Sequence, residues 1–541
     1  MRKFTLVASL LLTAMTTFAD SKFGNWTLNG SETTLENYAR WGSYTGTTES
    51  SLSNQVVTTS DGEQVVTGYG AAGYSMQSLI KKTGANGWTK TLSAAEITSV
   101  VADNAGGVYV TGNFGTTLSI GDQTLKGYAD PEGSYNHCTA FVAHYDKAGN
   151  VLAAKAIAPV INEDVKAKYE YYGKQGNSVY CTSSKILLDG TTPYVVLNFT
   201  DKLTSADGEK TVVSGNYAFD YYGMVAAGST RSVTVAQLDA ETLGIKDFVF
   251  TAKGNDFSDA TNYGTDVTSA AVTISDGVLY AAATFKGNGC ANGNVQGLKT
   301  DLLPLDITCS GGSSKATVMV SENLSTYAFS RKLFNGTYDW NVDGKGDNLV
   351  KDLHCVGNNL YLVGTSTGTS LFDEEKKTVG NTDVFVARLA KSSSFGVYWV
   401  ALSGVAEGDG NVEKVTASTV SGDMIYVSAY TGNEPNPSYV KLSKPYFWAF
   451  NYKRGATESI ASTEYVTGLA AGSAANQLYI SSYKNETDAL NFGLYTSTAT
   501  SISSAKADKV QDTKIYNLQG QRLAAPVKGQ INIVNGKKVI F

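Results

Sequence analysis

The chain has 541 residues, of which 42% are hydrophobic, 17% charged and 11% aromatic, with 55 glycines, 8 prolines and 32 tyrosines. The charged fraction lies well below the ~25% of ordinary soluble domains, which argues against long charge-driven disorder. A net charge of −6 excludes the basic footprint that nucleic-acid binding needs, and the wealth of Tyr, Thr, Ser and Val favours strands over helices.

In chain order, residues 1–19 read as a secretory leader. Arg2 and Lys3 precede an apolar run from Phe4 to Met15, and Thr17 and Ala19 are small residues ahead of a cut before Asp20. The run is too short for a bilayer, which takes ~20 apolar residues, and no later segment is apolar enough to cross one. The expectation is an exported protein, secreted or on the cell surface with the periplasm also open, that does not span a membrane and is a monomer.

From about residue 54 a module recurs: an apolar strand, a tight turn, then an aromatic-centred strand. Its clearest copy is Val100-Val101-Ala102-Asp103, a turn over Asn104 to Gly107, then Val108-Tyr109-Val110-Thr111-Gly112. The second strand returns around Val65, Tyr194, Tyr280, Tyr361, Tyr426 and Tyr479, seven copies in all. A second strand pair follows each copy, as in Ala140 to Asp146 with Val151 to Ile157, or Asp383 to Leu389 with Gly396 to Leu402, though the last copy is incomplete. Alternation rich in β-branched and aromatic residues is the strand signature. Four strands repeated seven times predict an all-β fold, a seven-bladed β-propeller, in which each sheet covers its neighbour. A pair of β-sandwiches is the competing architecture. Gly68, Gly112 and Gly364 are expected to end inner strands where the ring is crowded. The last copy lacks an edge strand, which Phe23 to Thr33 is free to supply, closing the ring and hiding an exposed edge; Trp26 within it caps the structure if it does not pair.

Cys138, Cys181, Cys290, Cys309 and Cys355 are an odd set, so at least one stays unpaired within the monomer. Cys290 and Cys309 either bridge one inserted loop or, like the others, are buried thiols.

Val101-Ala102-Asp103, Gly107 to Gly112 and Asp383-Val384-Phe385-Val386-Ala387-Arg388-Leu389 resemble the seven-bladed β-propeller (SBBP) repeat family of bacterial exported and surface proteins. The resemblance spans roughly residues 54–498 and implies the fold, since one propeller scaffold hosts many functions. Lys514 to Arg522 with Lys528 to Val539 is similar to the C-terminal sorting segments of type IX secretion cargo. The expected organisation is therefore a leader over 1–19, a propeller over 20–505 and a short C-terminal β element over 506–541, a hairpin or meander.

Loop lengths point to a working face. The 1–2 and 3–4 loops are mostly tight, whereas 115–138, 201–231 and 286–315 (2–3 loops) and 159–178, 252–265 and 334–348 (4–1 loops) are long and open on the other face. Function on rigid scaffolds gathers in such loops. Tyr169, Tyr171, Tyr172, Tyr217, Tyr221 and Tyr222 are the expected binding residues, through rings that stack on sugars or fill a protein interface; packing of the loops onto the rim is the other use of those rings. The partner class is a glycan or a surface protein.

Asp339-Trp340-Asn341-Val342-Asp343-Gly344-Lys345-Gly346-Asp347 places oxygens of Asp339, Asn341, Asp343 and Asp347 around a glycine turn, a pattern suited to Ca²⁺. Asp266 and Asp347 stand equally far before their module tyrosines, so Asp347 also reads as a recurrent turn residue. His144 occupies a strand position where the family has Lys or Arg and reads as structural. His354 and Cys355 adjoin but, on a strand, point to opposite faces. No GxSxG, HExxH or phosphate-binding loop occurs. The expectation is a non-enzymatic binding or scaffold module. The alternatives are a carbohydrate-active enzyme using Asp256, Asp259 and Asp266, and a structural spacer.

Overall fold

The computed structural model describes residues 21–36, 55–128 except 73–74, 139–161, 179–254 except 222–223, 266–293 except 287–288, 315–334, 346–375 except 369 and 372–373, 382–404, 412–432, 444–497 except 454 and 485–488, and four short strands within 515–540. The leader reading over 1–19 lies outside them. The chain divides into two compact units, one of 22–24 with 28–495 and a smaller one of 1–21, 25–27 and 496–541.

The larger unit is built from seven antiparallel sheets. Blade one pairs Val56–Thr58, Gln64–Ala72, Ser75–Lys82 and Trp88–Ser93; blade two pairs Ala95–Ala102, Val108–Phe114, Thr139–Tyr145 and Val151–Ile157. Blade three is Cys181–Asp189, Thr192–Phe199, Ser232–Leu238 and Ile245–Gly254, and blade four is Asp266–Ser275, Val278–Lys286, Lys315–Asn323 and Phe329–Phe334. Gly346–Val356, Asn359–Gly368, Asp383–Ala390 and Val397–Leu402 make blade five; Val412–Ser421, Met424–Gly432, Lys444–Asn451 and Thr457–Ile460 make blade six. Blade seven takes Tyr465–Ala471, Gln477–Tyr483 and Leu490–Ser497, and its outer edge is met by Thr33–Leu35, with Thr33 opposite Phe492 and Leu35 opposite Leu490. First strands of successive blades pack on one another, and that of blade seven packs on that of blade one, so the ring closes. The sandwich alternative falls, and the expected edge strand from the N-terminal stretch is present: Trp26–Leu28 pairs with Leu490–Ser497, and Thr33–Leu35 pairs with the same strand beyond it.

Apolar faces between blades hold the ring. Tyr109 enters the core between blades two and three, Tyr194 that between three and four, Tyr280 the next and Tyr361 the one after. Each ring fills the gap between sheets at a fixed place in the module, which explains why the tyrosine repeats. His144 is structural as expected: it stacks on Tyr109 at 3.8 Å between centroids and reaches Asp103 at 2.9 Å.

A β-bulge recurs in the first strand of six blades. The ladder skips one residue between Ile97 and Ser99, Ser183 and Lys185, Val267 and Ser269, Val350 and Asp352, Val415 and Ala417, and Val466 and Gly468. Such a bulge bends a strand and re-aims side chains. The module glycines sit in second strands rather than ending inner ones, and the bulge bears on two of them, Gly112 and Gly364. A Cβ on Gly112 would lie 2.0 Å from the Glu96 carbonyl oxygen, and one on Gly364 would lie 2.1 Å from that of Leu349. In these two blades the carbonyl just ahead of the bulge leaves room only for hydrogen, whereas the same place holds Leu197, Phe285, Ala429 and Ser482 in the other bulged blades.

The described parts of two long insertions fold back onto the perimeter. The hairpin Thr117–Ile120 with Gln123–Lys126 lends Leu118, Ile120 and Leu125 to the core between blades one and two. The hairpin Lys202–Thr204 with Thr211–Val213 lends Leu203 to the next core. Gly289–Gly293, which carries Cys290, adds a fifth strand to blade three. Cys138 and Cys309 lie outside the described residues; Cys181 is buried and Cys355 half-buried, and neither is in a disulfide.

Next to the closure, the Lys22 ammonium lies 2.9 Å from Glu32 and 3.1 Å from Glu464, and the Tyr495 hydroxyl donates to Glu32. Phe23, fully buried, stands edge-on to Phe447 of blade six and Tyr495 of blade seven. Burial and the Glu32 acceptor push the Tyr495 hydroxyl pKa far up. Trp26 is buried within the strand Trp26–Leu28.

The smaller unit contains a four-stranded sheet in which Ile515–Tyr516 lies between Arg522–Leu523 and Ile531–Val534, with Lys537–Ile540 outermost. This differs from a plain meander by one crossed connection. Among the described residues no helix is long and apolar enough to cross a membrane.

Candidate functional site

The ring leaves a central channel, and one stretch of it widens into a cavity of about 280 Å³. Its wall comes from the first strands of all seven blades: Val56, Thr98, Ser184, Val267, Lys351, Thr416 and Thr467 are one lining residue from each. Asn113, Asn198, Tyr180 and Arg231 also line it. They stand where second strands end or where first and third strands begin, so the cavity lies toward the end where the 2–3 and 4–1 connections emerge.

The bulges make this wall polar. Thr98 Oγ1 lies 3.1 Å from Ser183 Oγ and donates to the Thr111 carbonyl at 3.3 Å. Thr416 Oγ1 donates to Val466 O of the next blade at 2.7 Å, and Thr467 Oγ1 lies 3.1 Å from Ser481 Oγ. Before blade one, the Gln55 amide donates to Thr98 O at 2.6 Å and accepts from Val100 N at 3.2 Å. Asn113 Oδ1 accepts from Ser183 N at 2.8 Å. Hydroxyls and amides thus satisfy the backbone groups that bulging frees from the ladder, as buried polar groups require.

One charged array crosses the channel. Lys185 of blade three reaches Asp352 of blade five at 2.6 Å, passing over blade four. The other Asp352 oxygen accepts from Ser418 of blade six at 2.9 Å, and the Leu353 amide donates to Oδ1 at 2.9 Å. His354 Nε2 lies 2.7 Å from Ser418 Oγ. Ser418 has one proton, already given to Asp352, so it accepts from His354 in the Nε2–H tautomer. The Asp352 and His354 side chains keep 22% and 18% of their surface accessible, and Asp352 and Ser418 line the cavity. Burial opposes charge on Asp352, yet Lys185 beside it and the Ser418 hydroxyl hold its carboxyl far below the usual range. Burial also lowers the His354 pKa, against the pull of Asp352, so the imidazole is neutral at pH 7. Chemically the array is a chain of three hydrogen-bonded groups able to hold or pass a proton beside a cavity.

Sequence reasoning missed this array. His354 and Cys355 do diverge as expected, the thiol turning to the Gly357 carbonyl at 3.8 Å, but the partner of His354 sits one blade away. Of the expected binding residues, Tyr217 and Tyr221 lie in the strand Asn216–Tyr221, paired with Met224–Ser229; Tyr169, Tyr171, Tyr172 and Tyr222 lie outside the described residues. So do Asp339, Asn341 and Asp343 of the calcium pattern, whereas Asp347 stands in a ladder opposite Thr367. Asp256 and Asp259 are likewise outside, and Asp266 opens the first strand of blade four. Among the described residues no group of three or more His, Cys, Asp or Glu side chains is placed to hold a metal.

No protein-family model matches the chain, and no curated protein matches it. Solved structures do. A polysaccharide lyase, Uly1, aligns over 87% of this chain and all (100%) of its own, at 8% identity and a TM-score of 0.40. The hydrazine synthase of Kuenenia stuttgartiensis aligns over 83% of this chain and 97% of its own, at 10% identity and 0.38. The endosialidase of phage phi92 covers 93% of this chain and 75% of its own, at 10% identity and 0.33. The expectation that the chain is no enzyme is corrected here. It rested on the lack of local catalytic motifs, and the solved structures the chain resembles include enzymes, so that lack excludes nothing. The physical reason is visible in the channel: a ring assembles functional groups from several blades, and no short sequence motif records them.

Proposed function

We propose that the chain is an exported propeller that binds a hydroxyl-rich ligand, a glycan, in the channel cavity. The observation that carries this reading is the cavity wall, in which hydroxyl, amide and charged groups from blades two, three, five, six and seven, with Gln55 ahead of blade one, face one volume of about 280 Å³. Such a wall keeps lone pairs of its hydroxyls and its lysine ammonium for a sugar's hydroxyls, and Tyr180 adds a ring suited to stacking on a sugar face. Export to the bacterial surface is supported by the basic and apolar leader over 1–19 and by the likeness of 506–541 to type IX cargo segments. Titration calorimetry against an oligosaccharide panel tests the reading. Binding should vanish in Ser184→Trp, which fills the cavity, while the melting temperature stays within a few degrees. A panel without a binder, or a Ser184→Trp protein that binds unchanged, defeats it.

The His354–Ser418–Asp352 chain favours a second reading, that the cavity also transforms its ligand. A positioned imidazole or carboxylate is what general acid–base chemistry requires. Turnover of a bound oligosaccharide that is lost in His354→Gln, with binding retained, supports it; equal turnover in the variant removes it.

A further inference from the structure

We propose that the cavity carries a subsite for an anionic group and that the glycan it takes is acidic, with Lys351 as the chief anchor; this rests on the glycan reading above. The argument starts from the bulge. The extra residue is Thr98, Ser184, Thr268, Thr416 or Thr467 in five blades, a hydroxyl each time, and Lys351 in blade five alone. Thr98, Thr416 and Thr467 turn their hydroxyls back onto protein groups. Lys351 differs in reach: its four-carbon stem carries the ammonium away from the adjacent backbone that the short threonine hydroxyls bond. It is exposed, it lines the cavity, and among the described residues nothing pairs with it.

The surroundings reinforce the charge. Lys185 and Arg231 line the same cavity, whose acids are Glu96 and Asp352. Asp352 is committed to Lys185 and Ser418 on its two oxygens. Glu96 is only 1% exposed. The cavity thus presents cationic excess to an entering ligand, inside a chain whose net charge is −6. Walls of low dielectric focus such a field. The geometry calls for an oxyanion on a hydroxyl-rich ring, a uronate carboxylate or a sulfate ester, since both present oxygens to an ammonium at hydrogen-bond range.

The test uses the full chain and three probes: trigalacturonate, a sulfated disaccharide and neutral cellotriose, each titrated by calorimetry at low and moderate salt. The expected result is that at least one anionic probe binds about tenfold or more tightly than cellotriose, the size of one charge-assisted contact, with the preference shrinking as salt rises. Lys351→Met should erase that preference, Lys351→Arg should keep most of it, and both should melt with the parent protein. The carboxylate and sulfate arms separate the two sources of the anion. Cellotriose bound as tightly as both anions overturns the subsite and leaves the glycan reading standing. A preference that survives Lys351→Met assigns the anion elsewhere and overturns the proposal. Binding of no saccharide defeats both readings together.

Discussion

The joint between blades one and two is secured by a buried lysine, and its worth can be worked out. Lys82 is fully buried, with Asp61 at 2.8 Å, Glu63 at 3.4 Å and the Gly106 carbonyl at 2.9 Å around its ammonium. Burial works against the Asp61 charge, but the hydrogen bond from Lys82 and one from Thr59 outweigh it, and the carboxyl is held down to about 2 from 3.8. A shift of that size is ~2.4 kcal/mol of linkage at 1.36 kcal/mol per unit. The carboxylate keeps 18% of its side chain in water, so screening reduces this to about 1–2 kcal/mol. The folded pKa lies below the unfolded one, so this stability is present above pH ~4 and is lost as pH falls through about 2. Asp61→Asn should therefore cost about 1–2 kcal/mol at pH 7 by urea denaturation, and its deficit should shrink steadily between pH 4 and 2. Adding Lys82→Met to it should recover part of the loss, because the uncompensated ammonium goes too. An Asp61→Asn protein as stable as the parent at pH 7, or a deficit that ignores pH, would refute the reasoning.

Gly364→Ala places its Cβ against the Leu349 carbonyl oxygen and the Phe385 ring and should cost about 1–3 kcal/mol, read as a lowered urea midpoint. His354 has a lowered folded pKa, so the unfolded chain takes up a proton that the folded one refuses, and stability should decline as pH falls below ~6.5; His354→Gln should flatten that decline when midpoints at pH 7 and 5.5 are compared. Glu32→Ala strips Lys22 and Tyr495 of a shared acceptor and should speed exchange of the Thr33–Leu35 amides by hydrogen–deuterium mass spectrometry before it affects those of blade three. Calcium at 1 mM should raise the melting temperature if residues 339–347 ligate it, and Asp343→Asn should abolish that rise; identical melting with calcium and with EDTA removes the metal reading.

The fold was legible because it is written as a repeat. Tyr109, Tyr194, Tyr280 and Tyr361 each fill one inter-blade gap, and a side chain needed at every gap marks the sequence periodically. The glycines were visible too, but their cause was not, since the carbonyl that crowds Gly112 belongs to a bulge no pattern announces. The fold-back of the 115–138 insertion was available in the alternation of Leu118, Ile120 and Leu125, which reads as a hairpin with one buried face. The channel array was out of reach. Lys185 and Asp352 are 167 positions apart, and only closure of the ring makes them neighbours. Contacts along a blade follow the chain, whereas contacts across the hole depend on the curvature of the whole assembly.

The seam at blade seven has a bearing on how the molecule comes into being. Thr34 and Asn491, which meet there, are separated by 457 positions, so that the fastening cannot be made until nearly the whole polypeptide is available. Until then the growing product is an open arc with raw strand margins at both extremities, vulnerable to mispairing with other copies. Long-range pairing of this kind forms slowly. Shielding by a holding chaperone during synthesis, and a late rate-determining latch, are the natural companions of a circle sewn shut by its first and last stitches.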